Sequence, residues 1–203
     1  MFDLSESKQI RIKQIREIAE LFGFETKNQY RIIDQDDVEI GRAVEFSPHF
    51  GHFLLRQFFG HWRKYEILFL DSHDNKILRG VHPFNFFLHE LHIHDHTGKK
   101  IGVIKQRASI FYRHFEIQGL NGRKIFKIKS PWFKLWTFNI ERMGRKEASI
   151  IKKWSGLLDE TLFDKDNFNV NFFNDELDPR ERNLILAASI FIDLMYFEKK
   201  AGR

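Results

Sequence analysis

The stretch LILAASIFIDLMYF, residues 184–197, constrains this chain more than any other. As a helix it is apolar on nearly every side, with Ser189 and Asp193 the polar exceptions. Its start is well marked. Asp178 suits the N-cap, Pro179 suits the first helical position, and Glu181 stands three residues after the cap to close a capping box. A helix with no polar face is buried, either in a bilayer or in protein. The 14 positions rise only about 21 Å, against roughly 30 Å of hydrocarbon in a bilayer. A helix over about 179–198 therefore needs a wall of protein around it.

That wall has to come from residues 28–173, where short alternating runs are separated by turn chemistry. Runs 29–33 and 38–44 flank Asp34-Gln35-Asp36-Asp37, and runs 65–70 and 76–79 flank Asp71-Ser72-His73-Asp74-Asn75. Runs 88–95 and 100–106 flank Thr97-Gly98, 113–118 and 124–129 flank Asn121-Gly122, and 136–141 and 148–153 flank Met143-Gly144-Arg145. Five hairpins in succession predict an antiparallel sheet that curls or closes. Ahead of them Ile12, Ile15, Ile18, Ala19 and Phe22 recur every three or four residues, which predicts an N-terminal helix over about 8–22. The expected fold is α+β, mainly β: a closed or strongly curled antiparallel barrel around a central hydrophobic C-terminal helix. Residues 1–203 are expected to form one domain.

The chain has no cysteine, which excludes disulfides, thiolate metal sites, cysteine nucleophiles and thioester-linked lipids. With no apolar run near the start, the expected setting is intracellular, cytoplasmic and peripheral to a membrane, not secreted. Charge is unevenly spread. Residues 99–153 hold 15 Lys/Arg against three Glu, while residues 159–198 hold ten acids against three bases. Such a basic block suits anionic lipid headgroups or nucleic acid.

HELHIHDH, residues 89–96, looks like a metal motif but is not one. His89-Glu90-Leu91-His92 is one residue short of the helical zinc motif, and His92, His94 and His96 alternate with Leu91, Ile93 and Asp95 as on a strand. The lysines of the following strand would put the wrong field around a dication. These histidines read as the solvent side of a hairpin. No P-loop, G-x-S-x-G or H-E-x-x-H is present, and Asp159 and Glu160 are adjacent, so a non-enzymatic role is expected.

Several longer segments carry a resemblance: GFETKNQY at 23–30, KKWSG at 152–156, DKDNFNVNF at 164–172 and ASIFIDLMYFE at 188–198. Together they resemble phospholipid scramblases, whose domain is similar to the tubby-like barrel. The resemblance implies about twelve strands around the central helix. It also implies a membrane-associated protein that moves phospholipids between leaflets in both directions without energy input, under calcium control. A non-catalytic module for phosphoinositides or other anionic lipids stays open beside it, as does a nucleic-acid-binding regulator, since the region matching KKWSG is linked in relatives to nuclear import and DNA contact.

The resemblance points to particular residues. A calcium segment would span Asp164 to Asp175, with Asp164, Asp166, Phe168, Val170 and Asp175 at the ligand positions of an EF-hand-like loop. Phe168 is apolar, Asn169 stands where glycine makes the turn, and the last ligand is Asp rather than Glu, so the expected affinity is weak, roughly 10⁻⁴–10⁻³ M. Lys152, Lys153 and Trp154, followed by Lys127, Lys129 and Lys134, are the expected lipid contacts. Where the family often carries palmitoylated cysteines, this chain reads His82-Pro83-Phe84-Asn85-Phe86-Phe87. Phe84, Phe86 and Phe87 are candidates for a non-covalent membrane contact, with core packing the expectation favoured by the usual burial of Phe.

Overall fold

The computed structural model describes residues 1–15, 20–21, 24–46, 64–131, 133–134, 136–152 and 167–197. Each of the five expected hairpins is present. β3 (Phe24–Ile33) pairs with β4 (Glu39–Phe46), β5 (Tyr65–Asp71) with β6 (Lys76–His82), and β7 (Glu90–Asp95) with β8 (Lys100–Arg107). β9 (Tyr112–Gln118) pairs with β10 (Lys124–Pro131), and β11 (Thr137–Arg142) with β12 (Arg145–Lys152). Every neighbouring pair is antiparallel, and β13 (Asn167–Phe172) follows β12.

The ring closes through β1 (Gln9–Ile15), which lies between β13 and β3. This overturns the expected N-terminal helix. Ile10 and Ile12 are fully buried while Arg11 and Lys13 are only partly so, a strand alternation that the helical spacing of the later apolar residues had masked. Two unpaired strand edges also attract any segment that can complete them. β1 completes both, so β1 and β3 to β13 make a closed barrel of 12 strands, and the two-residue β2 (Glu20–Leu21) adds to β3.

The helix α1 (Pro179–Tyr196) threads this barrel. Its capping box forms as the sequence indicates: the Glu181 backbone N–H donates to Asp178 Oδ1 at 2.7 Å, and the Asp178 N–H donates to Glu181 Oε2 at 3.2 Å. Every residue from Glu181 to Met195 is buried. Inward residues of the strands surround it, among them Ile67, Phe69, Leu91, Ile93, Phe115 and Ile128. Gly102 marks a close approach, since a Cβ there would stand 2.9 Å from Leu184 Cδ2. Each buried Leu, Ile or Phe contributes about 1.5–3 kcal/mol, so the helix and its wall stabilise one another through one shared core.

The barrel has two unlike ends. At the end where α1 starts, strands are joined by short turns such as 34–38, 72–75, 96–99 and 143–144. The N-terminal segment seals it: Phe2 and Leu4 are buried, and Asn183 Nδ2 donates to the Phe2 carbonyl at 2.9 Å while the Phe2 N–H donates to Asn183 Oδ1 at 3.0 Å. At the opposite end, where α1 finishes, lie the connections from β6 to β7, from β8 to β9 and from β10 to β11.

Candidate functional site

Three neighbouring connections at the loop end carry large apolar side chains into solvent. They join β6 to β7, β8 to β9 and β10 to β11, strands that are consecutive around the barrel. Phe87 is 88% exposed, Ile110 91%, Phe111 72% and Phe133 67%. Phe84 and Phe86 are each about half exposed and meet edge to face at 4.8 Å between centroids. Asn85 shapes this loop, its Nδ2 donating to the Leu88 carbonyl at 2.6 Å and its Oδ1 accepting from the Phe87 N–H at 3.3 Å. The favoured core placement of Phe84, Phe86 and Phe87 is therefore corrected. They stand on the surface as part of a wider apolar rim, and Ile110, Phe111 and Phe133 join them unforeseen. Sequence alone offered a signal for the additions, since all three fall in connections where buried side chains are uncommon.

Basic side chains back this rim. The basic block forms β8 to β12, five contiguous strands on one flank. Lys134 is exposed in the loop after β10, which is held by the Lys134 N–H to the Pro131 carbonyl at 2.9 Å and by Ser130 Oγ to the Lys134 carbonyl at 2.7 Å. Lys127 and Lys129 stand partly exposed on the outer face of β10, and Lys129 Nζ reaches Glu141 Oε2 at 3.4 Å. Arg113 lies 4.3 Å over the Tyr196 ring, and burial pulls its pKa down.

Lys152 is a correction of a different kind. Expected as a surface lipid contact, it points into the barrel mouth, where Nζ donates to Asp193 Oδ1 at 2.8 Å; the two side chains are 9% and 2% exposed. Tyr30 Oη donates to Asp193 Oδ2 at 3.0 Å, and Lys152 Nζ also sits 4.5 Å over the Phe197 ring. The reason is alternation: Ile150 is buried, Ile151 exposed, and Lys152 faces inward again, where Asp193 of the helix compensates its charge. Lys153 and Trp154 lie outside the described residues.

A buried histidine pair escaped the sequence reading. His82 closes β6 and His89 precedes β7, and His82 Nε2 stands 3.0 Å from His89 Nδ1. Tyr65 stacks on His82 at 4.4 Å. The pair therefore pins the base of the loop that carries Phe84, Phe86 and Phe87. Its signal was two histidines bracketing one connection. His92 and His94 lie on the outer side of β7 opposite buried Leu91 and Ile93, as expected, while His96 is exposed in the turn that follows the strand. His92 Nε2 is 2.6 Å from Glu90 Oε1 and its Nδ1 3.1 Å from Lys100 Nζ, a set of partners for an ion-paired surface rather than for a metal.

The calcium segment is only partly described. Phe168 and Val170 are buried on β13, which is paired on both sides, so these two positions supply packing to the core. Asp175 is exposed and pairs with Lys8. Asp164 and Asp166 lie outside the described residues. Among the described residues there is no group of three or more His, Asp or Glu side chains that could hold a metal ion.

The geometry is thus a closed barrel with a buried helix, one apolar rim and one basic flank. Comparison with known proteins finds that the family model for Scramblase matches residues 2–199. The chain belongs to the Scramblase family. It is 27% identical over 214 residues to "Phospholipid scramblase 2" of Bos taurus, covering 98% of this chain and 71% of that one. It is 28% identical to "Phospholipid scramblase 1" of Rattus norvegicus, covering 97% and 62%. A yeast relative, "Altered inheritance rate of mitochondria protein 25", is 24% identical over 97% of this chain and 72% of its own length. An X-ray structure of a protein from Arabidopsis thaliana superimposes with a TM-score of 0.51 at 12% identity, covering 92% of this chain and 91% of that one. That likeness shows the fold, the tubby-like closed barrel. No helix among the described residues is long and apolar enough to cross a membrane.

Proposed function

We propose that this Scramblase-family protein works at a phospholipid membrane, seated by the loop end of its barrel, and lets phospholipids pass between leaflets without energy input. The observation that carries this reading is the rim of Phe84, Phe86, Phe87, Ile110, Phe111 and Phe133, gathered at one end. Exposed apolar surface of this extent costs solubility, and it is retained where it meets an apolar partner. Aromatic and aliphatic tips inserted about 5–10 Å reach the boundary between headgroups and acyl chains. Lys134 and the other cations at the loop-end part of the adjoining flank each add about 1 kcal/mol next to an anionic leaflet. Wedges on one side of a bilayer thin it locally, which lowers the barrier for a headgroup to cross. Calcium modulation belongs to the same proposal, with Asp164 and Asp166 as the acids that would sense it.

Fluorescent-lipid exchange in reconstituted vesicles, read with a membrane-impermeant quencher, tests the activity. Passage of quenching beyond the outer-leaflet label, in proportion to protein, is the expected result, and repeating it with calcium and with Asp164→Ala tests the modulation. Co-sedimentation with the same vesicles tests the seat. The variant F84S/F86S/F87S is expected to bind at least tenfold more weakly, since each Phe forfeits part of about 1.5–3 kcal/mol of transfer. Unchanged binding by that variant would show that the rim is not the seat. Tight binding with quenching that stops at the outer leaflet would leave a lipid-binding module without scrambling.

A further inference from the structure

We infer that the groove on the outer face of β10 and β11, near the turn end, binds a soluble anion carrying several phosphate groups. The groove has a volume of about 600 Å³ and is lined by Arg123, Lys124, Lys127, Lys129 and Arg142 against one carboxylate, Glu141. A hollow of about 330 Å³ adjoins it, shares Arg123 and Lys124, and adds Arg180 from the start of α1. The sheet is irregular at the groove. Ile125 is an extra residue on β10 between Lys124 and Phe126, and beside β11 the neighbouring β12 carries an extra residue, Glu147, opposite the step from Ile140 to Glu141. Bulges of this kind bend a strand and re-aim its side chains, and they recur beside functional sites.

The cations outnumber the acids available to them. Glu141 is engaged by Lys129 at 3.4 Å, and Arg142 Nη2 reaches Glu181 Oε2 at 2.8 Å. Glu116 lies 3.7 Å from Lys124 Nζ but already accepts from Arg107 at 2.9 Å. Arg123 and Lys127 have no acidic partner among the described residues. Arg142 Cζ stands over the Phe126 ring, 4.5 Å from its centroid, and Nε of both Arg142 and Arg180 is buried without an acceptor. Buried donors of this kind call for an acceptor, and guanidinium forks match phosphate oxygens in pairs. Arg123, Lys127 and the adjoining Arg180 have no acid among the described residues, more charge than one phosphate group neutralises, so the ligand is a compact anion with several phosphates.

That the ligand is soluble, rather than a headgroup of the membrane, rests on the rim reading above. The six residues of β11 separate Trp136 at the loop end from Met143 at the turn end, seven steps or roughly 23 Å at the usual rise. That exceeds the ~8 Å reach of exposed charge at physiological salt. A barrel seated on its rim holds the turn-end part of the groove away from the leaflet.

Titration calorimetry with inositol hexakisphosphate as the probe, at about 0.15 M salt and without membranes, tests the site. A saturable isotherm of one probe per chain is expected. Lys127→Gln and Arg123→Gln should each weaken it about tenfold, the worth of a charge-assisted hydrogen bond, while Lys134→Gln at the loop end and F84S/F86S/F87S should leave it unchanged. The last variant separates the two readings, because it removes the proposed membrane seat and spares the groove. Absence of saturable heat, or equal affinity in Lys127→Gln and Arg123→Gln, overturns the site. If those two variants also lose binding to vesicles containing a phosphoinositide, the ligand is a lipid headgroup and the soluble assignment is overturned.

Discussion

At the turn end of the barrel Asp34, Asp71 and Asp95 each fold a short connection in the same way, whereas at the loop end Phe87, Ile110, Phe111 and Phe133 project into solvent. Asp34 Oδ1 accepts from the N–H groups of Asp36 and Val38, both at 2.9 Å. Asp71 Oδ1 accepts from His73 and Asn75, also at 2.9 Å, and Asp95 Oδ1 from Thr97 at 2.9 Å and Lys99 at 3.0 Å. The side-chain bonds from Asn75 Nδ2 to Asp71 Oδ2 at 3.0 Å and from Thr97 Oγ1 to Asp95 Oδ1 at 2.6 Å, and after them these backbone bonds, hold the two carboxyls below their ordinary pKa. Exposed apolar residues at that end, such as Val38, Leu120 and Met143, stand singly on separate turns. The same barrel thus satisfies its backbone locally at one end and gathers apolar surface at the other. Only the second pattern needs a partner outside the chain to explain it.

The helix is also tied differently at the two ends, and breaking those ties gives the largest expected effects. At the turn end the fully buried Arg182 donates to carbonyls, through Nη1 to Ser7 at 2.7 Å and through Nε to Leu177 at 3.2 Å. At the loop end Lys152 meets a carboxylate instead. Lys152→Met leaves Asp193, 2% exposed, without this cation. Removing one partner of a buried ion pair costs about 3–5 kcal/mol. Denaturant midpoints should show that loss, and K152M/D193L should recover most of it by removing the stranded charge. A loss under about 1 kcal/mol for Lys152→Met would mean the mouth is wet enough to solvate the carboxylate. The contrast between the two ends would then fail.

A smaller effect concerns two histidines, one near each end. Burial first, and after it the charges of Arg79, His92 and Lys100, lowers the pKa of His94 near the turn end, although a hydrogen bond with the Arg79 backbone opposes them. Near the loop end, burial first and then Lys127, Lys129 and Arg107 lower that of His114, although Glu116 opposes them. A folded-state pKa below the unfolded value of about 6.5 means that the unfolded chain takes up protons first as pH falls. The stability these neutral rings preserve is therefore complete above about pH 6.5 and declines below it, until the folded form also protonates. Thermal midpoints of the wild type should drop between about pH 7.5 and 5.5, and His94→Gln and His114→Gln should each flatten part of that drop. A flat wild-type profile, or variants as steep as wild type, would show that the flank tolerates two more charges.

Much of the fold was legible because it depends on local pattern. The capping box at Asp178 and Glu181, the all-round apolarity of 184–197 and the turns at Asp34, Asp71 and Thr97-Gly98 each announce themselves within a few residues. What was misread depends on distant partners. β1 has the spacing of a helix in sequence because its strand character comes from the two edges it completes, Asn167–Phe172 and Phe24–Ile33. Lys152 reads as a surface charge in sequence because Asp193 lies 41 residues away. His82 and His89 meet only because β6 and β7 are neighbours. The rim was half legible: Phe84, Phe86 and Phe87 stood out as a cluster, but only the barrel's closure places Ile110, Phe111 and Phe133 at the same end.

The smallest prediction returns to a turn, where the local rule is broken once. Met143 and Gly144 join β11 to β12 with φ of 50° and 84°, the two left-handed positions of a type I′ hairpin. Gly144 takes such a conformation without strain, while Met143 keeps a Cβ that the left-handed region penalises by about 1–2 kcal/mol. Asn tolerates that region and is the preferred residue at this position. Met143 is fully exposed, so its side chain adds no burial that would be lost. Met143→Asn should raise stability by about 0.5–1 kcal/mol in denaturant unfolding, with the slope unchanged. Met143 also lines the proposed anion groove, and Asn adds no charge there, so probe binding should stay within about twofold. A destabilised variant would mean that the methionine holds the turn by a contact its exposure conceals, and the turn end would no longer be the end governed by local chemistry alone.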